Sequence, residues 1–585
     1  MTDSERPPSS LSNRDIADVF DTVADMLQLK GEIIHRILAY RRAAESIREL
    51  PRDIKTVYAE GQLESIDNVG GTLAEKITEL LTTGELTFLN KLKAELPETL
   101  VSVLRINGVG PKKAMQFYKE LGISTVPELE AAAREGRLAP LPGMGAKSEK
   151  KIIEGIEALS RQSSRVRIDI ATSTAEGILA QLLALPQALW GNVAGSTRRG
   201  RATIGDLDLL VCSRDAAPIM DLFVTMPNVA TIHGHGPTKS SVELLNGLQC
   251  DLRVLPPENY GAALVYFTGS QAHNITLRAL AQEQGYTLNE WAFTATDGSG
   301  KQILCEKEEE VYQQLGLDWI PPELREDRGE IEAARAHQLP RLIEIGDIKS
   351  DLHMHTEWSD GKLTVREMAE RARLRGFQHI CITDHTQSLG IANGLTVERL
   401  LAQREEIRKV DAEMSAAHNF RVFQGVEMEI RADGNLDYPD EVLAELDFVI
   451  ASLHVSLRQE RAVITQRLLN AIRNPHVDMI GHPRGQLIPD REPADLDMDA
   501  VFAAAKETDT VLEINANPHR LDLDDAHARR AVELGIKLAI DCDAHAPEEF
   551  ELLRYGIATA RRGWVKATDV INTWSTDEFV RWLKR

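Results

Sequence analysis

Asp206 and Asp208 stand two residues apart in the run AGSTRRGRATIGDLDLLV, each followed by a leucine. On a strand, that spacing puts both carboxylates on one face. Two carboxylates facing one way repel each other unless a cation sits between them. Mg2+ suits them, because it takes hard oxygen ligands and keeps positions open for phosphate oxygens. Asp251, in the alternating run QCDLRVL, is a candidate third ligand. Three carboxylates can hold two ions about 3.5–4 Å apart, one activating an attacking hydroxyl and one steadying a pyrophosphate leaving group. Upstream, Gly195-Ser196 can approach a triphosphate through backbone and hydroxyl, and Arg199 can neutralise its charge. The pattern predicts nucleotidyl transfer with two Mg2+ or Mn2+ ions.

A second set of residues lies in the last third of the chain. His353, His355 and Asp360 occur in DLHMHTEWSDG, His385 in CITDHT, Glu427 in GVEMEI and His454 in ASLH. His482 follows in IGHPRG, and Asp543 and His545 in DCDAH. His353 and His355 alternate off one strand end and can hold one metal together. The others mostly follow short apolar strands, as ligands at the mouth of a barrel do. Nine N and O ligands exceed what one tetrahedral ion needs. The set predicts two or three ions of the Mn2+ or Zn2+ type, which would activate water near neutral pH and clamp a phosphoryl group. Twelve of the sixteen histidines lie after residue 330, where random scatter would put about seven. His379, His418, His476, His519 and His527 are expected to be ordinary.

These residues need elements to position them. Residues 10–160 carry apolar side chains at three-to-four spacing over 14–29, 32–50, 72–81 and 111–121, which predicts helices. Alternating runs at 166–170, 206–211 and 249–255 predict strands. After Pro321-Pro322, the charged stretch ELREDRGEIEAARAHQLP reads as an extended linker. From residue 348 the apolar runs HICIT, FVIASLH, VDMIGH, VLEINA and LAIDCDAH alternate with helical segments, which predicts a barrel or wound α/β domain with its chemistry at strand ends. A weak repeat runs through the helical part: Asn68-Val69-Gly70, Gly108-Val109-Gly110 and Gly143-Met144-Gly145 each precede a helix rich in Lys and Ala. A glycine turn opening a helix exposes backbone N–H groups to a phosphate. Lys112, Lys113 and Lys147 just beyond favour binding of the nucleic-acid backbone without base readout.

Composition sets bounds. At about 150 residues per domain, 585 residues suggest about four domains. Hydrophobic residues are 43% and charged residues 27%, which excludes a fibrous or mostly disordered chain. No apolar stretch approaches the ~20 residues that span a bilayer, and the N-terminus has no basic start followed by an apolar core, so neither membrane nor signal peptide is expected. The five cysteines form no CxxC pair and fit a reducing, cytosolic setting. The net charge of −23 runs against the usual basic footprint of a nucleic-acid binder, so local basic surfaces are expected along the hairpins.

Five resemblances follow from these residues. The glycine turns resemble helix-hairpin-helix motifs, with Asn68 departing from the usual first glycine. The Gly-Ser and DxD pair resembles the nucleotidyltransferase signature. Tyr266-Phe267-Thr268-Gly269-Ser270 with Asn274 and Arg278 resembles the nucleotide-binding end of family X DNA polymerases. The resemblance implies that Tyr266 and Phe267 line the sugar pocket, Asn274 contacts the base in the minor groove and Arg278 contacts the templating strand. Gln271 stands where vertebrate repair members carry Asp. The stretch 34–44 with Thr72–Lys76 resembles the family's lyase domain and places Lys76 at the Schiff-base position. The histidine-rich set resembles the PHP (polymerase and histidinol phosphatase) domain.

Together they imply a multidomain family X DNA polymerase. A helical lyase-like domain would occupy 1–85, helix-hairpin-helix fingers 86–164 and an α/β nucleotidyltransferase palm 165–256. A thumb would follow at 257–317, a linker at 318–347 and a distorted (β/α)7-barrel PHP domain at 348–585. The family implies gap-filling synthesis in base-excision repair or end joining on gapped or primer–template DNA with dNTPs. It also implies 3′–5′ exonuclease and abasic-site endonuclease work by the PHP domain, in a cytoplasmic, nucleoid-associated monomer. Two other classes compete: a PHP phosphatase with a vestigial polymerase, and a non-catalytic DNA-end scaffold. The complete carboxylate and histidine sets speak against both.

Overall fold

The computed structural model describes residues 11–584 apart from 12, 49, 51–52, 105, 107–108 and 162–164. The chain divides into two compact units, one ending at residue 164 and one beginning at residue 165. The first is helical. Its opening helices, Asn13–Lys30 and Ile34–Arg48, bury Phe20, Val23 and Leu27 with Tyr40, Ala44 and Ile47 in one core. The apolar residues recur every third or fourth position, so one face of each helix is buried. Each such side chain contributes about 1.5–3 kcal/mol over its exposed state. Helices Gly71–Thr83, Pro111–Leu121 and Ala146–Arg161 each begin at one of the glycine turns.

The second unit opens with a five-stranded mixed sheet. Its order is Trp190–Val193, Asp206–Cys212, Gln249–Leu255, Lys239–Leu244, Val229–His235. The two central strands are parallel and put Asp208 opposite Asp251. Helices Ile168–Leu183 and Ala217–Thr225 contribute to the same apolar core as this sheet. The run 166–170 does not form the expected strand. Only Val166–Arg167 pairs, with Thr203–Ile204, and the helix begins at Ile168. Ala171, Ala175, Ile178 and Leu182 are buried at helical spacing further along, and that longer period overrides five alternating residues.

Residues 318–347 are folded, which corrects the expected linker. Ile320, Leu324, Ile331, Ala334 and Leu342 join the core formed by helices Pro257–Thr268, Gln271–Glu283 and Glu308–Gln314. Arg325 is fully buried and clasps Glu308 with both terminal nitrogens, at 2.7 and 3.0 Å. Glu330 is also fully buried, 2.6 Å from His273 Nδ1. A charged stretch reads as solvated in a sequence; here its charges are paired inside.

Seven parallel strands follow in sequential order: Ser350–Asp351, His379–Ile382, Arg421–Glu429, Phe448–Ser452, Met479–Ile480, Val511–Asn515 and Leu538–Asp541. A parallel bridge between Met354 and Ala544 brings the first and last strands together, so the barrel is nearly closed. Helices between strands cover its outside, as parallel connections require. The C-terminal helix Thr576–Leu583 places Phe579 against Phe423, Phe448 and His379. His379 sits near the N-terminal ends of the strands, at the end opposite the mouth.

Candidate active sites

The two central strands of the five-stranded sheet begin at the first site. Asp206 is exposed, while Asp208 and Asp251 are half-buried side by side. Burial, and then repulsion from Asp206 and Asp251, push the Asp208 carboxyl up to about 7. A carboxylate so raised suits a divalent cation, which would remove the repulsion. Gly195 has φ +60°, and a Cβ there would fall 2.3 Å from Asp208 Oδ2, so the turn can approach the carboxylate only as glycine. Lys239 Nζ lies 2.8 Å from Asp251 Oδ2, and Gln249 Nε2 donates to Asp251 Oδ1 at 3.1 Å. Neither was read from the sequence. Both lie on strands beside the aspartates, but no spacing rule marks them.

The residues expected to bind a nucleotide lie around the same turn. Arg199 does not stand free: Nε donates to Glu326 at 3.0 Å and Nη1 to the Thr268 carbonyl at 2.6 Å. A Cβ on Gly269 (φ +70°) would meet Arg199 Nη1 at 3.1 Å. Tyr266 and Phe267 meet edge-on at 5.0 Å, and Arg253 stacks 4.0 Å over Phe267. Asn274 donates to the Tyr266 carbonyl at 2.7 Å, and Arg278 is exposed one turn along the same helix. Ser196, at the start of the Gly-Ser turn, is half-buried.

The barrel mouth holds the second site. Three groups of ligand atoms, each within 4.8 Å of one another, occur among the described residues, all at this mouth. They are His355, Asp360, His385 and His545; His353, His355, Glu427 and Asp543; and His385, Glu427 and His454. Glu427 joins two groups, standing 3.3 Å from His353, 3.0 Å from His385 and 3.2 Å from His454. His482 lies 2.8 Å from Glu427 and completes none of the three groups. The donor set fits metal ions. His353 Nε2, His355 Nδ1, His385 Nδ1, His454 Nε2 and Glu427 Oε2 are buried without a hydrogen-bond partner, which is costly unless a ligand meets them. Burial, then His545 and His385, hold His355 down at about 3. For His454 and His545, burial works downward. Glu427 and Glu429 outweigh it at His454, Asp360 and Asp543 at His545, and both rise to about 9.

Further carboxylates orient these ligands. Glu513 accepts from His353 Nδ1 at 2.7 Å, and Glu429 from His454 Nδ1 at 2.6 Å. Such partners fix the ring tautomer and turn the other nitrogen toward a metal. Asp384 is buried and accepts from the Thr356 N–H at 2.8 Å, from its hydroxyl at 2.7 Å, and from Ser359, steadying the loop that carries Asp360. The sequence did carry a signal for Glu513 and Glu429: an acid inside an apolar strand, alone at Glu513 and two residues from Glu427 at Glu429.

In the helical unit, Asn68 takes φ +62° where the third turn has Gly143 at φ +73°. Asn tolerates the left-handed region better than other side chains, which accounts for its departure from glycine. A Cβ on Gly70, Gly110, Gly143 or Gly145 would meet nothing within 4 Å, so internal packing does not demand these glycines. Val69 is buried, while Lys112 and Lys147 are exposed. Gly108 lies outside the described residues. Lys76 is half-buried, its Nζ 4.9 Å from the Phe88 ring; Arg36 stands 5.4 Å from the same ring, and Tyr40 stacks on it at 6.2 Å.

Family profiles match along the chain. A helix-hairpin-helix domain matches residues 11–86, a SAM-like helix-hairpin-helix tandem 100–158, a DNA polymerase beta thumb 263–326 and a PHP domain 351–517. The DNA polymerase/3′-5′ exonuclease PolX of Bacillus subtilis is 38% identical over 98% of this chain and 100% of its own length. DNA polymerase lambda of Arabidopsis thaliana is 26% identical over 55% of this chain and 63% of its own. A probable phosphatase of Thermoanaerobacter is 32% identical over 38% of this chain and 89% of its own length.

Proposed function

Because the chain belongs to the family X DNA polymerases that carry a C-terminal PHP domain, the family of the PolX polymerase/exonuclease, we propose that it fills gaps in DNA at the palm and removes 3′-terminal nucleotides at the barrel mouth. The chain is a DNA-directed DNA polymerase with a 3′–5′ exonuclease. The observation that carries the assignment of the polymerase centre is the register of Asp208 opposite Asp251, beside a glycine turn fitted to Asp208. Asp206, Asp208 and Asp251 would hold two Mg2+ or Mn2+ ions. Those ions would activate the primer hydroxyl and neutralise the leaving pyrophosphate. Ser196 and Arg199 would take the triphosphate, Tyr266 and Phe267 the sugar, Asn274 the base and Arg278 the template. Exposed glycine turns with Lys112 and Lys147 support a grip on the DNA backbone.

At the barrel mouth His353, His355, Asp360, His385, Glu427, His454, His482, Asp543 and His545 would hold two or three Mn2+ or Zn2+ ions. The ions would supply an activated water and a clamp on the scissile phosphate. The residues fix ligand geometry through Glu513 and Glu429 and keep the pocket shaped. Asp251→Ala is expected to abolish primer extension in Mg2+ or Mn2+ with dNTPs while leaving 3′–5′ degradation at the wild-type rate. Losing an ion from the transition state should cost several kcal/mol, or at least about 100-fold in rate. Equal loss of both activities would overturn the two-centre reading.

A further inference from the structure

The Gly-Ser turn of the polymerase centre is seated on the PHP domain. Gly200, with φ +68°, lies so close to the helix Leu553–Arg562 that a Cβ there would fall 3.1 Å from Ala558 Cβ and 3.7 Å from Arg562 Cδ. Arg562 donates from Nη1 to the Arg199 carbonyl at 3.0 Å and to Glu326 Oε1 at 2.7 Å. Its Nη2 pairs with Asp525 at 2.9 Å. The Arg562 side chain is 4% exposed and that of Glu326 8%, so these charges meet away from bulk water. There, charge-assisted hydrogen bonds are strong and directional. Glu326 is the same carboxylate that holds Arg199 Nε. Two nitrogens of the Arg199 guanidinium therefore have fixed acceptors.

The helix is also locked to the barrel. A Cβ on Gly556 would fall 2.6 Å from Ala516 Cβ and 2.8 Å from Ile540 Cγ2, so helix and barrel strands are in direct contact. On its other side Tyr555 packs with Ile168 and Leu521, and Arg554 reaches Glu176 at 2.5 Å. The helix has little room to move relative to either partner.

We propose that Arg562, a residue of the PHP domain, is a positioning residue of the polymerase: through Glu326 and the Arg199 carbonyl it holds Arg199 in the orientation that receives the triphosphate of an incoming nucleotide. This rests on the reading of Arg199 as a triphosphate ligand. A guanidinium already held at two nitrogens loses little freedom when the nucleotide arrives, so Arg562 raises nucleotide affinity by preorganisation. The exonuclease does not use Arg562, which is none of the barrel-mouth ligands.

The test is steady-state extension of a primer by one dNTP, with 3′–5′ degradation of single-stranded DNA measured on the same full-length preparation. Arg562→Ala is expected to raise KM for the dNTP about tenfold, change kcat by less than about twofold and leave degradation unchanged. Arg562→Lys, which keeps the charge but not the fork, should fall between. Asp525→Asn, which loosens the far anchor of Arg562 together with the Arg328 pair on the same oxygen, should shift KM the same way by a smaller factor, and it carries the test if Arg562→Ala does not fold. Arg199→Ala separates the two levels. If it raises KM while Arg562→Ala and Asp525→Asn keep the wild-type value, the positioning role is wrong. If Arg199→Ala leaves KM unchanged, the triphosphate reading itself is wrong. Loss of kcat and degradation together in Arg562→Ala would mark a merely structural residue and overturn the proposal.

Discussion

At the scale of single residues, Asp208 makes a claim about pH. Its carboxyl is pushed up to about 7 by burial and by Asp206 and Asp251. A carboxyl raised in the folded state adds stability that is fully present below its unfolded value and is lost as pH rises through the folded one. In EDTA, wild type should therefore lose more thermal stability between about pH 5 and about pH 8 than Asp208→Asn does, and Mg2+ should return the difference. Melting curves of both proteins with and without Mg2+ check it; identical pH slopes would remove Asp208 as the strained carboxylate. Lys76 makes a second claim. Its amine lies against Phe88 beside Arg36 and Tyr40, a site where a Schiff base with an abasic-site aldehyde can be shielded from water. Borohydride trapping on a 5′-deoxyribose-phosphate substrate should give a covalent adduct that Lys76→Ala lacks. An undiminished adduct in that variant moves the nucleophile elsewhere.

At the scale of elements, legibility followed period and chemistry. The helices 13–30 and 111–121, the strands that carry Asp206, Asp208 and Asp251, and the strand that leads to Asp543 were readable, because apolar spacing and ligand type agree there. The run 166–170 was not, since five alternating residues cannot outvote a helix that claims their Ile168 and Ile170. The stretch 318–347 was misread because a sequence does not say which partner a charge will find. Glu308 is that partner for two arginines: Arg198 at 2.7 and 2.8 Å, and Arg325 at 2.7 and 3.0 Å. The same blindness hid Glu326. Burial works to raise the Glu308 carboxyl, but Arg325 and Arg198 outweigh it and hold it at about 2. Glu308→Gln leaves two buried guanidinium groups facing a neutral amide, so it should cost about 3–5 kcal/mol. A carboxyl held low gives stability that is present above its unfolded value and lost as pH falls through the folded one. The gap between wild type and variant in urea midpoint should thus be full at about pH 7 and shrink toward about pH 3. A gap that does not change with pH would mean that packing, not charge, holds this thumb together.

At the scale of the whole molecule, two chemistries share one chain whose net charge is −23. Asp206, Asp208 and Asp251 line one candidate ion site and Asp360, Glu427 and Asp543 the other, so metal loading is the variable that should separate the activities. His353, Glu427 and His482 should each be needed for degradation and dispensable for extension. Glu427 is shared by two ligand groups, and His353 is aimed by Glu513. His482 meets Glu427 through Nε2 at 2.8 Å, and its buried Nδ1 is orphaned. Ion uptake must displace protons from His454 and His545, both held up at about 9 by their carboxylates. Protonation of these rings stabilises the ion-free site below about pH 6.5 and is lost as pH rises through 9, so metal affinity should climb over that window. Metal analysis should find more than one ion per wild-type chain and fewer in His353→Ala, with degradation falling by orders of magnitude while extension persists. Lowering the pH should release the ions and degradation together, and added Mn2+ should restore both. A wild-type protein that binds no metal and shows no Mn2+-dependent degradation would make the barrel-mouth histidines a structural relic.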